Sequence, residues 1–164
     1  MKKIIYYIIL SIILVNGIGC SGYKPIFSSD IFEFEIADYS IQGDKKLGNK
    51  IYSKLFNFSK SNKNQGDIRK FYFDINVIKE KSPTSRDSSG KILEYKINLN
   101  TRILVKDYST SKNILDHNFL SSTSYKVQKQ FSETIKFENK LIEDLLNQIY
   151  QELLIKLSEK TSAK

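Results

Sequence analysis

Four kinds of side chain in this sequence could do chemistry: one cysteine, one histidine, eighteen carboxylates and a serine-spaced set of basic residues. Cys20 has no second cysteine to pair with, so an internal disulfide is excluded. His117 is equally alone, which leaves no cluster to hold zinc and no set for a Ser-His-Asp relay. Asp116 beside it falls on the opposite face of an alternating segment, so the histidine is expected to be packed or hydrogen-bonded within a sheet. The carboxylates recur as polar alternates on strand-like segments or on the wet side of helical ones, and no pair stands out for acid–base work. There is no glycine-rich phosphate loop and no dense basic run interleaved with aromatics. The expectation is therefore a protein without a metal ion, a cofactor or a catalytic activity, and a hydrolase built on an unrecognised carboxylate pair is the remaining enzymatic alternative.

One stretch has local character. "KSPTSRDSSGK", Lys81 to Lys91, places Lys81, Arg86 and Lys91 among serines with Pro83 and Gly90, and it reads as a flexible loop. Arginine can donate two parallel hydrogen bonds and lysine supplies a mobile point charge, so such a loop suits phosphate oxygens. It equally fits a solvated hairpin loop carrying the charges found throughout the chain.

The setting of Cys20 says more than its thiol does. Lys2 and Lys3 precede an apolar run from Ile4 to Val15, and Gly17 and Gly19 lie just before the cysteine, which is the layout of a secretory signal. The run is 12 residues long, against about 20 for a membrane-crossing helix. A cysteine at that place resembles a bacterial lipobox, with Ile18 and Gly19 fitting and Gly17 standing where a leucine is usual. On the lipoprotein reading, favoured over a plain cleaved signal or an uncleaved anchor, residues 1–19 would be a cleaved signal peptide and Cys20 the first mature residue, acylated on sulfur. Palmitate-type chains on one residue would hold the protein on a membrane essentially for good, since each buried methylene contributes about 0.8 kcal/mol. A blocked Cys20 is no nucleophile.

Cleavage would leave 145 of the 164 residues, one domain's worth. Apolar residues make up 40 %, with ten Phe and ten Tyr, which argues for a folded chain. The formal charge of +8 falls to +6 without Lys2 and Lys3. A basic balance points to an acidic partner. For an exported chain that partner is lipid or polysaccharide phosphate and not nucleic acid, although general richness in Lys, Ile, Asn and Ser would produce the same charge without selection for binding.

The elements that must position these residues are legible from periodicity. Ser21–Asp30 is small and polar around Tyr23, Pro25 and Phe27, so residues 20–30 form an extended arm and residues 31–160 a single domain. Phe32, Phe34 and Ile36 alternate with Glu33 and Glu35 as a first strand. Asp44 can cap a helix in which Leu47, Ile51 and Leu55 recur every fourth residue. Phe71, Phe73, Ile75 and Val77 alternate on a second strand. The third, over 92–106, sets Leu93, Tyr95, Ile97, Leu99, Ile103 and Val105 against polar residues. The fourth carries Leu115, Phe119, Tyr125 and Val127 on a face shared with His117. The chain closes with a long helix capped by Ser132 and striped by Phe137, Leu141, Leu145, Ile149 and Leu153. The order β-α-β-β-β-α predicts an α+β fold: a two-layer sandwich with two helices on one face of a four-stranded mixed, mostly antiparallel sheet, the other face polar.

Taken together these segments resemble the LptE family, the outer-membrane lipoprotein subunit of the lipopolysaccharide transport machine. The resemblance rests on "GCSGYKPIF" at the start of the mature chain, "DYSIQGDKKLGNKIYSKL" as a strand-to-helix step, "SRDSSGKILEYKINLNTRILVKD" as loop and long strand, and the closing amphipathic helix. It implies the same two-layer fold and a lipid-anchored protein on the periplasmic side of the outer membrane. Such a protein would plug the β-barrel LptD, help it assemble, and bind lipopolysaccharide through basic residues. By position Lys81, Arg86 and Lys91 would meet lipid phosphate, with Lys79 and Lys126 as further candidates. A lipid-anchored periplasmic scaffold or chaperone of another envelope complex would share anchor and fold but not the glycolipid.

Overall fold

A computed structural model describes residues 33–61 and 68–162. The proposed signal peptide, Cys20 and the arm over 20–30 lie outside the described residues. The elements follow the expected order: β1 (Phe34–Gly43), α1 (Lys45–Ser61), β2 (Arg69–Arg86), β3 (Ile92–Asp107), β4 (Asn113–Lys126) and α2 (Phe131–Ser162). The sheet is ordered β1-β2-β3-β4. β1 and β2 are parallel, joined through α1, and the other two pairs are antiparallel hairpins, so the predicted α+β two-layer architecture holds.

Alternation decides which face the helices cover. Phe71, Phe73, Ile75 and Val77 of β2 are buried on the same face as Ile97, Leu99, Ile103 and Val105 of β3 and Leu115, Phe119 and Tyr125 of β4. Leu47, Ile51 and Leu55 of α1 and Ile142, Leu146, Ile149, Leu153 and Leu157 of α2 join them in one core. In β1 a bulge at Ala37, between Ile36 and Asp38, changes which residues face inward: Phe34 and Ile36 before it, Tyr39 and Ile41 after it. Tyr39 stacks on Tyr52 of α1 with ring centroids 3.9 Å apart. Both helices run toward the Arg69 end of β2. Phe58 near the end of α1 meets Phe34, and Arg69 reaches the Thr161 carbonyl of α2. An ion pair between Lys50 and Glu143 links them side by side.

Three local expectations change. The serine-rich segment is no flexible loop: β2 continues through Arg86, with Pro83 paired opposite Tyr95 and small bulges at the tip. Only residues 87–91 turn, and they do so tightly, because Asp87 Oδ1 accepts bonds from the Ser89 and Lys91 amides and the Ser89 hydroxyl. Ser132 does not cap α2. Its first helical bond runs from the Thr134 amide to the Gln130 carbonyl, and Thr134 Oγ1 accepts the Gln128 amide. The stripe on α2 also turns: Phe137 is exposed and Leu141 half-buried, while Ile142, Leu146 and Leu157 are buried. A strict four-residue spacing drifts about 40° per step, so Phe137 and Leu153 cannot share a face. Asp44, by contrast, caps α1 as read, its Oδ1 accepting the Leu47 amide at 3.1 Å.

Candidate functional site

The hairpin β2–β3 reaches past β1, whose last pairing is Gly43 with Val77. Residues 78–86 therefore have β3 on one side and, among the described residues, no strand on the other. This projecting tip carries most of the predicted basic residues, and the fold disperses them. Lys79 and Lys81 lie on the helix-covered side, Lys126 is exposed on the opposite side in register with Glu94, and Arg86 and Lys91 flank the turn. Arg86 is folded back, donating from Nη1 to the Gly90 carbonyl at 2.8 Å.

Lys81 is engaged. Its Nζ donates to Glu138 Oε2 of α2 at 2.6 Å, and the Tyr125 hydroxyl donates to the same oxygen at 2.6 Å. The ammonium lies 4.2 Å from the centre of the Tyr95 ring, an attractive cation–π distance, and Phe137 meets the Tyr125 ring edge-on. Burial works against ionisation of Glu138, but the bonds from Lys81 and Tyr125 outweigh it and hold the carboxyl below its usual range. Burial likewise opposes the charge on Lys81, and the bond to Glu138 reverses that and raises its value. The cluster ties the hairpin tip to the second turn of α2. Tyr95 and Tyr125 are legible in the sequence as inward-facing strand residues. The part played by Glu138 is not, because it is 57 residues from Lys81 and meets it only through the sheet.

Among the described residues no helix covers the other face of the sheet. Ser40 donates to Asp74, and Arg102 is bidentate to Asp116 through Nε at 2.9 Å and Nη2 at 2.8 Å. Hydrogen bonding from Arg102 keeps the Asp116 carboxyl below its usual range. Apolar side chains also occur here: Tyr72 and Leu104 are half-buried among these polar groups, and Ile78 and Leu120 border a shallow groove of roughly 320 Å³ with Glu80, Asn98, Asn100 and Ser122. His117 packs edge-on against Phe119 at 4.7 Å, as expected of a sheet histidine. Among the described residues no three His, Cys, Asp or Glu side chains could hold a metal ion. No helix among them is long and apolar enough to cross a membrane.

No protein-family model and no curated protein matches the chain. Solved structures do. The rare lipoprotein B of Shewanella oneidensis is similar over 76 % of this chain and 96 % of its own, with TM-score 0.55 and 14 % identity. An uncharacterized lipoprotein B of Nitrosomonas europaea is similar over 87 % and 94 %, with TM-score 0.57 and 17 % identity. A putative lipoprotein of Caulobacter crescentus CB15 is similar over 76 % and 90 %, with TM-score 0.53 and 8 % identity. At these identities what is shared is the fold.

Proposed function

We propose that this protein is a lipid-anchored, non-catalytic subunit of the bacterial envelope, attached through Cys20. In this reading it acts in lipopolysaccharide transport, plugging and helping to assemble the LptD β-barrel on the periplasmic side of the outer membrane and binding lipopolysaccharide. The observation that carries the reading is the sheet face that none of the described elements covers. A four-stranded sheet with one side under two helices and the other lined by Ser40, Asp74, Arg102, Asp116, Asn98 and Asn100 has a broad hydrophilic surface. Such a face can lie against the wet wall of a wide barrel, whose own side chains cannot fill its lumen. Lipoproteins of three other bacteria sharing the fold support the same reading, as does the order of motifs in the mature chain.

Lipopolysaccharide phosphate would meet Lys79, Lys91, Arg86 and Lys126 first, because the Lys81 ammonium already holds Glu138. The deciding experiment is a pull-down of the full-length protein from detergent-solubilised membranes. Co-purification of a barrel of LptD size, lost on masking the open face with Asn98→Arg and Asn100→Arg, is the expected result. A different envelope partner would instead make the protein a scaffold of another complex. Palmitate labelling should disappear in Cys20→Ala, and labelling that persists would remove the anchor from the account. Charge reversal at Arg86 and Lys91 should weaken lipopolysaccharide binding, and unchanged binding would clear those residues of the role.

A further inference from the structure

The core-facing stripe of α2 runs beyond its cover. At about 100° per residue, Phe131 and Ile135 lie on the same side of α2 as the buried Ile142, Leu146, Ile149 and Leu153. Yet Phe131 is 80 % exposed and Ile135 38 %. The reason is the unequal length of the helices. Lys50, in the second turn of α1, is level with Glu143, so the first turns of α2 project past the start of α1 toward the hairpin tip. Leu93, 44 % exposed, and Phe137, 40 % exposed, belong to the same end: the Leu93 carbonyl accepts the Val127 amide just before α2, and Phe137 touches Tyr125. Four of the nine large apolar side chains exposed among the described residues are gathered here. Lys126, Lys129 and Lys136, all exposed, are interspersed with them, and Glu133 is the carboxylate of the first turn.

We propose that this end of the molecule docks on an anionic phospholipid surface, with Phe131, Ile135 and Leu93 at the headgroup–acyl boundary and Lys126, Lys129 and Lys136 against the phosphates. Single exposed apolar residues are ordinary on any protein. What is not ordinary is their concentration at one end together with lysines, whose long stems lie along apolar surface while the ammonium reaches phosphate. These side chains diverge, since Phe137 points about 120° away from Phe131 around the helix and Leu93 comes from a strand. A protein groove would have to be shaped around such a set, whereas a fluid interface takes it as it is. Anionic headgroups complement the lysines and attract them over a Debye length. Lys126 is shared with the lipopolysaccharide reading, but the proposal does not depend on it, because Phe131, Ile135, Leu93, Lys129 and Lys136 have no part in that reading and the lipid is a different one.

The chain contains no tryptophan, so a single introduced one reports cleanly. Full-length Phe131→Trp protein is reconstituted into vesicles of phosphatidylcholine alone or mixed equally with phosphatidylglycerol, each with brominated acyl chains. Tyr108→Trp, in the exposed β3–β4 turn at the other end of the sheet, serves as the reference. The expected result is quenching of Phe131→Trp severalfold stronger in the anionic vesicles and little quenching of Tyr108→Trp in either. Adding Lys126→Glu, Lys129→Glu and Lys136→Glu should abolish the anionic preference while the urea midpoint stays put. Equal quenching in neutral vesicles, equal quenching of the two reporters, or a shift of Phe131→Trp only when a protein partner is added would each overturn the proposal.

Discussion

Two glycines with the same sign of φ separate the cost of backbone conformation from the cost of crowding. Gly43 ends β1 at φ 70°, and Gly90 sits in the β2–β3 turn at φ 86°. Alanine in the left-handed region costs about 1–2 kcal/mol at either place, partly offset by roughly 0.4–1 kcal/mol from the smaller freedom of the unfolded chain. A Cβ on Gly90 would meet nothing within 4 Å, so Gly90→Ala should destabilise by about 1 kcal/mol. A Cβ on Gly43 would lie 2.2 Å from the Val77 carbonyl oxygen and 2.8 Å from Asn76 Oδ1. That carbonyl accepts the Asp44 amide at 2.7 Å. Moving it sacrifices a hydrogen bond of about 1 kcal/mol and disturbs the Asp44 cap on Leu47, typically another 1 kcal/mol. Gly43→Ala should therefore lose about 3 kcal/mol in all. Urea unfolding followed by circular dichroism should show the midpoint of Gly43→Ala well below that of Gly90→Ala at unchanged slope. In heat, the gap should be about 5–10 °C. Equal losses in the two variants would mean that the β1–α1 junction relaxes freely, and the crowding argument would be wrong.

Other perturbations test other parts of the fold. Thr101 is fully buried and its Oγ1 has no hydrogen-bond partner among the described residues, so Thr101→Val should raise stability by about 1 kcal/mol; a loss by calorimetry would show that the hydroxyl is satisfied. Leu146→Ala, at a fully buried position of α2, should cost about 2–5 kcal/mol, whereas Phe137→Ala should cost about 1 kcal/mol or less. The reverse order in urea would misplace the buried stripe. Glu138 has its carboxyl held below the usual 4.5, so its contribution is complete above that value and lost as pH falls through the lower native one. The stability gap between wild type and Glu138→Gln should thus be constant near neutrality and close in acid; a gap independent of pH would deny the Lys81–Glu138 pair its role.

The legible parts of this protein were those whose cause is local. Alternation along 92–106 marked the inner face of β3, since a strand half-covered by helices must carry apolar residues at every second position. Asp44 and the Leu47–Ile51–Leu55 spacing marked α1, because a cap and one apolar turn-repeat are settled within a few residues. The solitary His117 and Cys20 restricted the available chemistry by count alone. Residues 82–86 defeated the same reasoning. Ser82, Pro83, Thr84 and Ser85 bury nothing and show no period, and they are strand only because β3 supplies the pairing opposite them. Likewise, four-residue spacing on α2 suggested a straight stripe, and only the position of the sheet beneath selected Ile142, Leu146 and Leu157. The candidate site was split in the same way. The basic residues of the tip could be named from the sequence, but their partners depend on register across the sheet and on where α2 lands. Lys81 therefore meets Glu138 while Lys126 faces the other way. Sequence period records what each segment needs to bury; which charged groups then come within 3 Å of one another is determined by the packing of segments far apart in the chain.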